Sequence, residues 1–324
     1  MPPSPKIPQD GRGFATPGRT DDGPEASAPK AFPAYVVVTP AHNEAGTLQG
    51  VADCLAAQTV PPLRWVVVDD ASSDGTADLV RRIQSGCGWI DLVRLHRDGE
   101  RHFGGKADGF NAGVRHAAGL PFEYLANLDA DVTFPPDYFA YLLERIGGDP
   151  RIGLVGTPFR EAGFRGYDYR FTNPEHVSGA CQLFRRACLE QVGGYRAIPS
   201  GGIDWVASTT ARMLGWKTLT CPDRVLLHHR HMGAGNLNWG NLRLRQGRKD
   251  YMLGNEPRWE IFRCLYQARY RPYVLGGLLM MAGYLREALL RRPRPISDEL
   301  AKFVRAEHAE RLRGLARRLV DRLG

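Results

Sequence analysis

No stretch of this chain of 324 residues reaches the run of about 20 apolar residues that a membrane-spanning helix needs. The longest apolar stretch, Tyr273 to Leu285, stops at Arg286. The six cysteines (Cys54, Cys87, Cys181, Cys188, Cys221 and Cys264) never fall in C-x-x-C spacing, which removes both a zinc site and a disulfide framework from consideration. No charged start followed by an apolar middle marks the N-terminus as a signal peptide, so a chain kept in a reducing cytosol is expected. Neither G-x-x-x-x-G-K-[ST] nor a G-x-G-x-x-G after the first strand is present, which excludes a P-loop and a dinucleotide fingerprint.

What is there is a basic chain with enough apolar residues, 43%, for a sizeable core. The net charge of +8 is unevenly placed: Arg286 to Gly324 holds eleven Lys/Arg against six acids, or +5. Positive charge that sits mainly in a tail, without an aromatic-studded face, argues against a nucleic-acid partner. It suits a solvated helix face, an anionic membrane or an acidic protein.

Residues 1–32, rich in Pro, Gly, Ser and Asp, cannot bury enough surface to offset their ordering entropy and read as a disordered leader. From Tyr35 onward, β-branched runs alternate with helical patterns. Strands are expected at Tyr35–Thr39, Trp65–Val68, Ile90–Leu95, Tyr124–Leu128 and Ile152–Val155. Helices are expected at about Ala45–Ala57, Asp74–Gln84, Gly105–Ala117 and Pro136–Ile146. This alternation implies right-handed βαβ units and a mostly parallel sheet sandwiched by helices, whose ligands bind beyond the carboxyl ends of the strands.

Those ends carry the chemistry. The first is followed by Pro40-Ala41-His42-Asn43-Glu44 and the second by Asp69-Asp70-Ala71-Ser72-Ser73-Asp74-Gly75-Thr76. Asn43, Ser73 and Asp74 suit helix caps, but two adjacent acids at a buried strand end need partners, which a base and ribose would supply. The third leads to Gly104-Gly105-Lys106, backbone N–H groups and one ammonium suited to phosphate. The fourth ends in Asp129-Ala130-Asp131, two carboxylates able to converge on one hard cation, or else a solvated turn.

Residues 35 to about 235 resemble the GT-A-fold glycosyltransferases of family 2, through Thr39-Pro-Ala-His-Asn-Glu44, Val68-Asp-Asp-Ala-Ser-Ser-Asp-Gly-Thr76, Gly105-Lys106 with Asn111-Ala-Gly113, and Asn127-Leu-Asp-Ala-Asp131. The resemblance implies a Rossmann-like GT-A catalytic domain over 33–235 (donor half 33–132, acceptor half 133–235) and a basic helical extension over 236–324. It also implies inverting transfer from a nucleotide-diphosphate sugar, uridine being the family's commonest base, to a polysaccharide, glycolipid or lipid-linked acceptor. Carried over, Pro40, Ala41 and Glu44 line the nucleoside pocket, Asp70 meets the base, and Lys106 lies near the pyrophosphate or base. Asp129 meets the ribose or sugar, and Asp131 binds Mg2+ or Mn2+.

On the acceptor side the resemblance assigns Gly179, Ala180 and Trp205, with Asp204 as general base. Ile203 stands where many members carry a preceding Glu. His229 or His231, from Leu227-His-His-Arg-His-Met-Gly233, is expected to complete the metal shell. Arg245 and Arg248 are candidate pyrophosphate clamps. The segment Gln246-Gly-Arg-Lys-Asp250 lacks the Trp of the processive members' Q-x-x-R-W, so a non-processive enzyme is expected.

A sugar-nucleotide nucleotidyltransferase is the enzymatic alternative, although Pro40 to Glu44 supplies no Gly-rich basic loop. The remaining apolar stretch, Tyr273 to Leu285, and a helix from Ser297 to about Leu323 suit either packing on the domain or in a homodimer, or an anionic membrane surface with Arg286, Arg291, Arg292 and Arg294 at headgroup level. The expected location is cytoplasmic, peripheral on the inner face of the cell membrane.

Overall fold

The computed structural model describes residues 32–96, 104–161, 175–198, 201–229, 239–271 and 273–321; Phe32–Gly324 form one compact unit. In its first half β1 (Tyr35–Ala41), α1 (Leu48–Ala56), β2 (Arg64–Asp70), α2 (Thr76–Gln84), β3 (Ile90–Leu95), α3 (Gly105–Ala117) and β4 (Tyr124–Leu128) alternate as the hydrophobic pattern requires. There follow β5 (Val132–Thr133), α4 (Tyr138–Gly147), β6 (Ile152–Gly156), β7 (Phe159–Glu161), β8 (Cys181–Arg185), α5 (Arg186–Val192), α6 (Ile203–Met213), β9 (Lys217–Thr220) and β10 (Leu226–His228). Helices α7 (Trp239–Met252), α8 (Pro257–Gln267), α9 (Val274–Leu289) and α10 (Asp298–Val320) complete the described chain.

Seven strands form one sheet in the order β3-β2-β1-β4-β8-β6-β9, parallel except for β8, which runs antiparallel to both of its neighbours. Alternate residues of each strand feed opposite faces. Tyr35, Val37, Trp65 and Val67 enter one core with α1 and α4, whereas Val36, Val38, Val66 and Val68 enter the other with α3, α5 and α6. Close approach is needed at Gly113 of α3, where an added Cβ would run into Val38 of β1. Asn111, two residues earlier, donates to the Tyr195 carbonyl (2.7 Å) and accepts from its N–H (2.8 Å). The Asn-Ala-Gly motif therefore clamps the turn after α5 and seats α3 on the sheet.

Strand β2 continues two residues beyond the expected Val68, because β1 and β3 pair with it on both sides as far as Asp69 and Asp70. A second sheet of three short strands, β5-β10-β7, lies at the end of β4. Its central strand sets His228 opposite Val132 on one side and Glu161 on the other.

The helical extension is knitted together by glycine. Added Cβ atoms at Gly247 of α7 and Gly283 of α9 would run into the Met280 and Leu244 carbonyls, and one at Gly277 into the Cys264 carbonyl of α8. Buried charge closes the same layer: Arg263 of α8 binds Asp250 of α7 at 2.6 Å, and Asn255 donates to Glu260 at 3.2 Å. Helix α10 packs on the α6 side of the sheet, burying Leu300 and Val304 in the second core and joining Glu307 to Arg212 of α6 through two bonds of 2.9 and 3.1 Å.

Candidate active site

The loops after β1 and β2 are laced together. Glu44 N–H donates to Thr76 Oγ1 (2.8 Å), Ala45 N–H to Asp74 Oδ2 (3.0 Å) and Ser73 N–H to the Asn43 side chain (2.9 Å). Asn43 and Ala71 both hold left-handed backbone, with φ of 57° and 53°. For an alanine this conformation costs on the order of 1 kcal/mol and persists only where the surroundings impose it. Pro40, Ala41, Glu44 and Asp70 thus come together at two neighbouring strand ends, with Ala41, Glu44 and Asp70 buried. Asp69 has a protein partner rather than awaiting a ligand: Arg94 of β3 lies 3.3 Å from its Oδ2, and Ser72 N–H donates to its Oδ1.

At the end of β4, Asp129 and Asp131 converge with His228, their donor atoms all within 4.8 Å of one another. His228 Nε2 lies 3.4 Å from Asp131 and 3.9 Å from Asp129, while Nδ1 faces Glu161 at 3.8 Å. Two carboxylates and an imidazole suit a divalent cation, and a carboxylate behind the ring is the usual device for orienting a ligating histidine. Burial, together with Asp131, raises the Asp129 carboxyl despite Lys106 and His228. These residues fit Mg2+ or Mn2+.

The histidine differs from expectation. Adjacent strand residues leave on opposite sides, so His228 turns toward the carboxylates. His229 is exposed and pairs with Thr133 Oγ1 at 2.9 Å, its N–H donating to the Asp131 carbonyl. His231 lies outside the described residues.

Lys106, in the first turn of α3, connects the carboxylates after β4 with the loop before β8. Its ammonium bonds Asp129 and reaches the Gly179 carbonyl at 3.0 Å. Burial acts to lower its pKa, but Asp129, Asp204 and Asp131 together hold it above the usual value. Gly179 in turn donates its N–H to Asp204 Oδ2 at 3.1 Å, and an added Cβ there would lie 3.0 Å from the Asp204 side chain. Ala180 follows, its carbonyl accepting from Asp129 N–H at 3.0 Å.

Asp204 occupies the first turn of α6, which starts from Gly201 and Gly202 in left-handed backbone. Burial pushes its carboxyl up, yet His176, Lys106, Lys249 and the Trp205 N–H outweigh that and hold it below the usual range. It is therefore ionised and able to accept a proton. His176, 3.7 Å away, is pushed down chiefly by burial. Gln182 steadies this corner from β8, donating to the Val177 and Asp204 carbonyls and accepting from Tyr195 OH.

Three expected residues are placed elsewhere. Trp205 packs against the second core. Arg245 is exposed on α7, and Arg248 faces Glu287 of α9 at 3.4 Å, drawn there by a buried carboxylate instead of by the cluster. On the same helix Lys249 is the residue whose charge acts on Asp204. His228, Glu161, His176 and Lys249 escaped sequence reasoning, because only tertiary placement distinguishes them from their neighbours.

A family model described as Glycosyl transferase family 2 matches residues 36–193, from β1 through α5, leaving Asp204 and His228 beyond its end. Poly-β-1,6-N-acetyl-D-glucosamine synthase of Staphylococcus aureus (strain MSSA476) is 30% identical over 149 residues, 46% of this chain and 31% of its own length. The chain thus spans about a third of the length of the curated relatives it matches. Among solved structures, the mannosyltransferase PcManGT from Pyrobaculum calidifontis, in complex with GDP-Man and Mn2+, is similar with a TM-score of 0.54 at 23% identity. That match covers 90% of this chain and 84% of the other. S. aureus TarS 1–349 in complex with UDP-GlcNAc gives 0.51 at 14% identity, covering 79% and 73%. At these identities the likeness is one of fold, and the fold is GT-A.

Proposed function

Since this chain, through residues 36–193, is a member of glycosyl transferase family 2, we propose that it transfers single sugars, with inversion, from a nucleoside-diphosphate sugar to a hydroxyl of a glycan, glycolipid or lipid-linked acceptor. The reading rests on one observation: the Asp129-Asp131-His228 cluster and Asp204 lie on opposite sides of a single bridge, Lys106 to Gly179.

A divalent cation held by Asp131, Asp129 and His228 would stabilise, as a Lewis acid, the charge on a departing diphosphate. The protein's own groups do the rest. Pro40, Ala41, Glu44 and Asp70 form the wall for the nucleoside at the ends of β1 and β2. Lys106 presents an ammonium between the donor carboxylates and the acceptor strand. Asp204, kept ionised by His176, Lys106 and Lys249, takes the proton from the acceptor hydroxyl as that oxygen attacks the anomeric carbon, and the C–O bond to the diphosphate breaks on the far side. Attack opposite the leaving group inverts the configuration. Single transfer is supported by Lys249 and Asp250, which stand where the processive motif Q-x-x-R-W carries its Arg and Trp.

The nucleotide base decides between the donors bound by the two structural neighbours, GDP-Man and UDP-GlcNAc. A thermal-shift series with UDP, GDP, UDP-GlcNAc and GDP-mannose, with Mn2+ or with EDTA, tests the site. Saturation at about 100 times Kd contributes about 2.7 kcal/mol, a clear rise in Tm. One base is expected to stabilise the protein, and only with metal; stabilisation that ignores EDTA would overturn the metal role. Asp204→Asn is expected to keep that shift and lose sugar transfer, and retained transfer would remove Asp204 as the base.

A further inference from the structure

The buried residues of α9 are Gly276, Gly277, Met280, Gly283, Tyr284 and Glu287, which turn toward α7 and α8. Its opposite side carries Leu275, Leu278, Ala282, Leu285 and Leu289 at alternating steps of three and four, every one exposed. Leu278 and Leu289 are 60% and 82% exposed, and the stripe runs about 21 Å at 1.5 Å per residue. Alongside it, α8 exposes Ile261 and Leu265, the latter by 68%. Single exposed leucines are ordinary, but a stripe of them along one helix, with two more large apolar side chains exposed on the helix packed beside it, marks an interaction surface.

Charge identifies the occupant. Among the described residues 257–295, every exposed charged side chain is an arginine: Arg258, Arg269, Arg271, Arg286, Arg291 and Arg292. The acids of that span, Glu260 and Glu287, are buried. A second copy docked face to face about a two-fold axis would set these arginine rims against each other with no exposed acid between them, a repulsive arrangement. Anionic lipid headgroups match the rim, and the acyl boundary beneath them accepts the leucines. No helix among the described residues is long and apolar enough to cross a membrane, so such a face lies in the surface plane.

We propose that the outer face of α9, with the exposed side of α8, seats the protein on an anionic lipid surface. Glycine contacts hold α9 directly against α7 and α8. The face also lies one helix from the chemistry: α7 touches Met280 of α9 through Gly247, while Lys249, two residues on, acts on Asp204. A lipid-carried acceptor would meet the site from that side. Attachment does not depend on the reaction proposed above, and its test involves no turnover.

The full chain is mixed at moderate salt with phosphatidylcholine vesicles, with or without phosphatidylglycerol, and floated on a density gradient. It should rise with the phosphatidylglycerol vesicles alone. Leu278→Gln/Leu285→Gln/Leu289→Gln should abolish flotation. Arg271→Gln/Arg291→Gln/Arg292→Gln should weaken partitioning roughly a hundredfold, from about 1 kcal/mol per charge near the surface. All six side chains are exposed, so both variants should melt with the wild type. Wild type left in the soluble fraction, or flotation indifferent to the leucine changes, would overturn the proposal. So would a solution dimer, seen by sedimentation equilibrium, that the leucine changes dissociate, for a second copy would then be the occupant.

Discussion

His228 and His229 are chemically the same side chain, and the direction each leaves β10 separates their roles. His228 stands against two carboxylates with Glu161 behind it, while His229 bonds Thr133 at the surface. Removing an outer carboxylate of this kind usually weakens metal binding about 10–100-fold. Glu161→Gln is expected to do so for Mn2+ in calorimetric titration, with His229→Ala unchanged; the reverse result would return the ligand to His229. The sequence displays three histidines in four residues without their parity, because β10 is only three residues long and shows no alternation from which to read it. Asp131, at the end of a fully buried five-residue strand, is legible for the opposite reason.

Element boundaries decide how firmly Asp204 is held. Helix α6 begins only because Gly202 adopts φ of 95°, and an added Cβ there would meet Leu253 Cδ1 at 2.9 Å. Gly202→Ala is expected to cost about 1–2 kcal/mol in denaturant unfolding and to lower kcat more than KM, by turning the carboxylate proposed as the base. Gly314→Ala in the middle of α10 meets nothing within 4 Å and should instead stabilise by about 0.5–1 kcal/mol. Strands β1 to β3 are readable from their β-branched runs and β4 from the short apolar run of Tyr124, Leu125 and Leu128, since long βαβ units leave a strong hydrophobic period. The β5-β10-β7 sheet is not. Its strands of two or three residues have no period, and long-range pairing alone assembles them. The packing of α10 on α6 was equally hidden, because an arginine-rich helix looks alike whether its apolar stripe meets a domain or a lipid.

At the scale of the whole molecule, the helical extension is joined by buried charge whose stability depends on pH. Burial, with Asp250 adding to it, pushes the Glu260 carboxyl up to about 7. Because the folded value lies above the unfolded one near 4.5, the fold favours the protonated acid. Its contribution is complete below pH about 4.5 and is lost as pH rises through about 7. Denaturant unfolding should therefore lose roughly 1–3 kcal/mol between pH 5 and 8 from this group. Glu260→Gln should flatten that profile, and an unchanged slope would assign it to other groups. The bridge from Asp129 through Lys106 to Gly179 has a wider consequence. The resting protein supplies its own tethered counter-ion, so a divalent cation arriving at the proposed site would have to exchange with the ammonium of Lys106. A diphosphate would offer that ammonium a new anion, and each ligand would thereby lower the cost of admitting the other. Metal and donor would then be linked thermodynamically, by equal factors in both directions, and the proposed site would reach full affinity only with both present.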